Sequence, residues 1–335
     1  MAVRYYDIQL FKPGSSAIFK EWTSFPQIGA AKQSDPGALN VLIDAYVNAL
    51  TQPQSLGSIQ IWGISLQDVA QANNFTNCNI NIYAGFQAGL PLNNPSQAGL
   101  ILSGYVFQSF ANWQGTDMTL DFVIATQGNV ASQNTNVSLS WTAGTPLATA
   151  LATTLTNALP SVKQNIQISP KLVLAHDESG VYPSLVSFAQ ALKPITQDAI
   201  GGDYPGVDIV LTPESITVYD GSTQTTPKQL NFQDLMGQPT WIDNQTIQFV
   251  CPMRSDLHMG DYIKMPQGLL GVPGAVVTTA ASQPQARQQS VFNGVFMISL
   301  VHQLGNYRQP DGQSWVTITN AVAQTQGSAS TAAAS

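Results

Sequence analysis

The chain has 335 residues, too many for one core, so two or three domains are expected. Charged residues make up only 9%, against roughly a quarter in an ordinary globular protein, and Gln, Asn, Ser and Thr take their place. The net charge of −7 and pI near 4.7 exclude a protein that grips nucleic acid through basic patches. So sparsely charged a surface is poorly protected against association, which fits a subunit largely covered by neighbours better than a free, low-charge β protein.

Cys78 and Cys251 are far apart and alone, so neither a metal site nor a disulfide framework is expected. Met1 to Gln9 lacks an apolar core of signal-peptide length. No run approaches the roughly 18 apolar residues of a membrane span. A protein made and used in soluble form is expected.

In chain order, Arg4 to Phe11 reads as a strand stopped by Pro13 and Gly14, and Leu39 to Leu50 as strand or short helix. Strands are predicted near Ser58–Ile64, Asn79–Tyr83, Gly99–Phe110 and Met118–Ala125, where apolar and polar residues alternate. They are joined by turn formers without intervening helix, the pattern of an antiparallel barrel or sandwich. Between Lys32 and Lys163 there is no Lys or Arg, and Asp35, Asp44, Asp68, Asp117 and Asp121 give that segment −5 of the formal −7.

The character changes after Gln127. Thr145 as N-cap, Pro146 at the first helical position and Leu147, Leu151, Leu155 and Leu159 at i, i+4 spacing predict a helix ended by Pro160. A strand at Asn165–Ile168, a helix over Ser184–Leu192 stopping before Pro194, and a strand pair, Val207–Leu211 and Ser215–Tyr219, complete a small α/β module. From Trp241 strands return at Gln245–Cys251, Tyr262–Met265, Gly294–His302 and Ser314–Ala321. Gln267–Ser290 is long for a structureless loop, and Gln324 to Ser335 reads as a disordered tail.

No catalytic set emerges. His176-Asp177-Glu178 offers ligands or an acid–base pair, but consecutive residues diverge and a solvated turn is expected. Asp203 and Asp208 flank a turn rather than a calcium site. There is no GxSxG elbow and no Gly-rich phosphate loop. The Trp residues are scattered along strand ends and turns, as in barrel packing. The chain is read as a non-enzyme without cofactor or metal.

The segments IWGISLQDVAQANNF, NINIYAGFQAGLPLNNPSQAGLILSGYVFQSFANWQGTDMTLDFVIA, YPSLVSFAQALKP, MRSDLHMGDYIKMP and VFMISLVHQLGNYRQPDGQSWVTITNA, in that order, resemble the baseplate hub proteins of tailed phages related to the T-even hub. More distantly they resemble the hub part of type VI secretion spikes. The resemblance covers Ser58 to Ala321 and implies a mainly β fold with an α+β insert. On it, residues 1–130 form a first tail-tube-like antiparallel β-barrel. Residues 131–221 form the insert, whose last strands return to that barrel, 222–323 a second tube-like barrel, and 324–335 the tail. It implies a homotrimeric, pseudo-sixfold ring in the virion tail baseplate, assembled in the host cytoplasm. The ring would adapt a sixfold tail tube to a threefold central spike, touch baseplate wedge or tail-tip proteins, and let genomic DNA transit without binding it. No lysozyme or long spike domain is appended, so wall cleavage is expected of other proteins. Asp68, Asp117 and Asp121 are the candidate lumen-facing acids. The alternatives are a carbohydrate-binding receptor or tail-tip protein, and a cell-wall-degrading tail enzyme.

Overall fold

The computed structural model describes residues 3–28, 31–47, 49–51, 56–87, 95–125, 136–160, 162–202, 204–211, 215–222, 226–266, 292 and 294–324. The expected loop at Gln267–Ser290, the tail beyond Gln324 and Asp203 lie outside the described residues.

In the first half the strands are β1 (Val3–Phe11), β2 (Ile18–Thr23), β3 (Gln27–Ile28), β4 (Ala31–Lys32), β5 (Asn40–Val47), β6 (Leu56–Trp62), β7 (Asn79–Gln87), β8 (Gly99–Gln114) and β9 (Asp117–Ala125). A short helix, α1 (Leu66–Gln71), separates β6 from β7. The middle of the chain holds β10 (Val137–Trp141), α2 (Leu147–Ala158), β11 (Lys163–Gln167), β12 (Glu178–Tyr182), α3 (Leu185–Ile200), β13 (Asp208–Leu211) and β14 (Ser215–Tyr219). The last part holds β15 (Lys228–Gln229), β16 (Thr240–Trp241), β17 (Thr246–Pro252), β18 (Tyr262–Lys264), β19 (Phe296–Asn306) and β20 (Trp315–Ala323). The mainly β class expected from the sequence holds.

The period-two pattern places the strands as read. In β6, Ile59 and Ile61 are buried while Ser58 and Trp62 are exposed, and in β17 Ile247, Phe249 and Cys251 alternate with half-buried neighbours. Leu39–Leu50, ambiguous in sequence, resolves as β5, with Val41, Ile43 and Ala45 inward. Two helices depart from expectation. Ser65 caps α1 by accepting a hydrogen bond from the Asp68 amide, a local signal within an otherwise strand-rich stretch. The helix expected to stop before Pro194 runs on through it to Ile200. Its buried stripe, Leu185, Phe188, Ala189, Leu192 and Thr196, continues past the proline. Thr196 Oγ1 donates to the Leu192 and Lys193 carbonyls and accepts from the Val207 amide. Tertiary burial thus outweighs the local cost of proline. Pro146 is the N-cap of α2 rather than its first residue.

The strands of the first and last parts form one sheet, in the order β16-β17-β20-β19-β5-β6-β9-β8-β7-β1-β2, with β18 on β19 and β15 on β18. Among the described residues no strand pair closes either half into a ring. The join is the antiparallel pair β5–β19, from Val301↔Val47 to Asn306↔Leu42. Three cores underlie it. One fills the first half, one the α/β module between α2, α3 and the parallel-containing sheet β11-β14-β13, and one the last half. Three residues at the end of β5 knit them together: Val47 packs on the first and third cores, Ala49 belongs to the third and Leu50 to the second.

The join is reinforced on the core side. Trp315 of β20 is fully buried in the first core, beside Met253, and its indole N–H donates to the Gly85 carbonyl of β7 at 3.0 Å. Gly305 makes room for it, since a Cβ there would lie 2.7 Å from Trp315 Cζ3. Arg4 of β1 donates to the carbonyls of Asn306, Tyr307, Gln309 and Asp311 and to Ser314 Oγ, all in the β19–β20 connection. Arg308 reaches back to the Pro36 and Ala38 carbonyls. Arg4→Ala leaves those carbonyls without their charged donor and is expected to lower stability by about 2 kcal/mol. Arg4→Lys is expected to recover only part of that loss, because an ammonium lacks the planar fork. Urea unfolding of the three proteins checks both.

Candidate functional site

The side of the sheet that faces away from the cores is continuous across the join. Register places residues in rows that run from one half into the other. One row is Leu304–Asp44–Ser58–Val123–Gln108, the next Asn306–Leu42–Gln60–Asp121–Phe110. On the far side of the join lie Val250–Ile318–His302–Tyr46 and Gln248–Asn320–Leu300. A concavity of about 700 Å³ opens on this face, lined by Leu42, Asp44, Gln60, Phe110, Asp121 and Leu304 among others.

The polar chemistry of the face is amide and carboxylate, set among apolar side chains such as Leu42, Phe110, Val123 and Leu304. The nine strands contiguous from β16 to β7 contain no Lys or Arg. The sequence gap between Lys32 and Lys163 accounts for β5 to β9, and the topology adds β16, β17, β19 and β20 from far downstream. The cations sit elsewhere, several of them in structural pairs: Lys20 with Asp68, Lys193 with Asp208, Lys228 with Asp261, and Arg254 with Asp234 and Asp256.

The carboxylates of the face are held by neighbours. Asp121 accepts from Gln60 Nε2 at 2.6 Å, from Thr119 Oγ1 at 3.2 Å and from Asn112 Nδ2 at 3.3 Å. Trp62 Nε1 donates to Gln60 Oε1, which fixes that amide. Asp44 on β5 lies 2.7 Å from His302 Nε2 on β19, so this pair spans the join. Tyr46 stacks on the His302 ring at 3.8 Å and 11°. Asp44 is open to solvent, its side chain 55% exposed, whereas that of His302 is 12% exposed.

The three acids singled out in sequence fall in different places. Asp121 is on the open face. Asp117 shares its parity along β9 and is exposed beside the Gly115-Thr116 turn, opposite Gln114. Asp68 is in the first turn of α1 with its side chain 7% exposed and paired with Lys20, so it does not join the other two. Sequence reading missed Asp44, His302 and Tyr46. The first and last of these sat in the stretch of ambiguous period, and nothing local connects His302 to a partner 258 residues away.

The other candidates carry no site. His176 is exposed, and Asp177 Oδ1 accepts from the Ala143 amide. Asp208 binds Lys193 and Thr51. Both cysteines are buried and free, and burial pushes the Cys251 thiol up to about 12. Trp22, Trp141 and Trp315 are core residues, while Trp62, Trp113 and Trp241 are exposed on three different strands. Trp113 has the opposite parity to Asn112, so it does not share a groove with Trp62. Among the described residues no three His, Cys, Asp or Glu side chains are placed to hold a metal ion. No helix among them is long and apolar enough to cross a membrane.

Asp121→Ala removes the acceptor of three side-chain donors on a half-buried face. A loss of roughly 1–2 kcal/mol is expected, read as a lower urea midpoint with unchanged slope.

No protein-family model and no curated protein sequence matches the chain. Solved structures similar to it include an E. coli protein, c3393, described as a component of the type VI secretion system with structural similarity to the T4 bacteriophage tail proteins gp27 and gp5. That likeness has TM-score 0.48 and 10% identity, over 86% of this chain and 74% of that one. The 43 kDa tail protein of prophage MuSo2 from Shewanella oneidensis has TM-score 0.49 and 8% identity, over 95% and 96% of the two chains. A tail protein from Neisseria meningitidis MC58 has TM-score 0.48 and 10% identity over the same shares.

Proposed function

We propose that this chain is a structural hub subunit of a phage-type tail. In this reading three copies make a pseudo-sixfold ring between a sixfold tail tube and a threefold central spike, and the open face lines a lumen through which DNA passes. The observation that carries it is the run of nine contiguous strands without Lys or Arg, which crosses from one half of the chain to the other.

Duplex DNA presents one phosphate charge per ~1.7 Å of axis, and proteins hold it chiefly by placing cations against those charges. A wall that offers none, and whose acids Asp44, Asp117 and Asp121 repel phosphate, gives DNA nothing to grip. Two sheet halves per chain fit this symmetry: three copies would present six half-sheets to a sixfold neighbour and three whole chains to a threefold one. A chain sparse in charge suits a subunit whose outer surface is covered by tube, spike and wedge proteins.

Two measurements test the reading. Oligomeric mass with negative-stain images, for the chain alone and with its tube protein, is expected to show threefold rings with a central hole; monomers under both conditions overturn it. Duplex binding tests the wall. The wild-type chain is expected to show no salt-dependent retention of DNA. Asp44→Lys with Asp121→Lys is expected to create it, with log K falling against log salt by about 0.9 per phosphate contacted. Tight binding by the wild type counts against the lumen assignment.

A further inference from the structure

Asp7 is a buried carboxylate that the open face does not use. It lies on β1 between Tyr6 and Ile8, which point into the first core, and its own side chain takes the opposite side of the strand. There it is nevertheless only 3% exposed. Its Oδ2 accepts from Gln9 Nε2 at 2.9 Å, and its Oδ1 is buried with no donor. Gln9 stands directly opposite Glu21 on β2, and the same amide nitrogen reaches Glu21 Oε1 at 3.5 Å. One amide therefore sits between two carboxylates on neighbouring strands.

We propose that Asp7 holds a proton in the folded protein, and that this proton is an acid-set clasp fastening the edge strand β2 to β1. It removes a buried charge that one oxygen leaves without a donor, and with it the repulsion from Glu21 across the strand pair. The position matters because β2 ends the sheet and is held along one side only. An ionised pair pushes apart the two strands it joins.

The groups facing Asp7 are consistent with this. Burial, Glu21 on β2 and a hydrogen bond with Glu21 push its carboxyl up, while the Gln9 amide and Lys32 on β4 pull it down, and it settles at about 6. Tyr83 on β7 stands opposite Asp7 in register and Tyr5 shares its strand face; Tyr5 is pushed up to about 12, first by burial and then by Asp7. The Tyr5 phenol is therefore neutral where Asp7 titrates. A carboxyl raised in the folded state binds its proton more tightly there than in the unfolded chain. The stability it contributes is complete below its ordinary value of 3.8 and is lost as pH rises from there to about 6. A divalent cation in the same place is disfavoured by the amide N–H that occupies the gap.

The test uses the full chain and two readouts. A carboxyl-carbon NMR titration is expected to give Asp7 a midpoint near 6. Hydrogen exchange of the β2 amides, corrected for intrinsic rate and referenced to β9, is expected to lose protection between about pH 4 and about pH 7. The loss is expected to reach on the order of 100-fold, because the opening equilibrium changes about tenfold per pH unit between the two midpoints. Asp7→Asn is expected to hold β2 at its low-pH protection throughout, and Glu21→Gln, at an exposed position, to lower the Asp7 midpoint. A midpoint near 4 overturns the proposal, as does an undiminished pH response in both variants. Addition of CaCl2 at the higher pH is expected to leave the Asp7 resonance and β2 protection unchanged. A response to it overturns the protonated clasp in favour of a bound cation.

Discussion

Everything distinctive about the molecule depends on the pairing of β5 with β19. Those strands are separated by roughly three-quarters of the chain, and closing so long a loop is unfavourable by several kcal/mol before any contact is made. The ladder alone does not hold it. Trp315 places its indole in the core of the other half, where burying ~200 Å² of largely apolar surface contributes on the order of 5 kcal/mol. Arg4 and Arg308 stitch the β19–β20 connection to β1 and to the strand entry at 36–40 through backbone carbonyls. Remove the join and two half-sheets remain, each with its own core and no shared face.

Folding contacts, at the join and away from it, account for half of the positive charge. With only 12 Lys and Arg in 335 residues, each cation has a disproportionate effect on the surface it occupies. Arg4 and Arg308 are committed to carbonyls at the join, Arg254 to two aspartates, and Lys20, Lys193 and Lys228 to one aspartate each. Those positions serve folding. The nine contiguous strands keep none, and their one basic side chain, His302, is held against Asp44 beneath Tyr46.

Much of this was legible in the sequence, and the rest was hidden for identifiable reasons. Alternation located β6, β8, β9, β17 and β20 because each is buried mainly on one face, although Ile101–Leu102, Thr119–Leu120 and Trp315–Thr317 are buried on both. It failed on β5, where Leu42 and Tyr46 on the open side are as apolar as the core residues between them. The six residues of α1 were missed because its only signal is a Ser65–Asp68 cap in a strand-rich stretch. The proline rule misplaced the end of α3 because burial of Thr196 and its neighbours is a tertiary fact. The gap in positive charge was visible from Lys32 to Lys163. Its continuation through β17, β19 and β20 was not, because adjacency of strands that far apart is written in register and not in any local motif.

A face that only lacked cations would still offer anions the N–H groups of its amides, so its internal bonding matters as much as its charge. Gln60 commits a donor to Asp121 and accepts from Trp62; Asn112 and Thr119 commit theirs to the same carboxylate; Gln248 commits one to Asn320. The N–H groups so engaged would have to break those bonds to reach a dissolved anion, an exchange with little net gain in water. Asp121 thus acts twice, as a negative charge on the face and as the acceptor that occupies three neighbouring donors. The face needs the carboxylate and the amides together: without Asp121 those N–H groups would be open to anions, and without the amides the carboxylate would be open to cations.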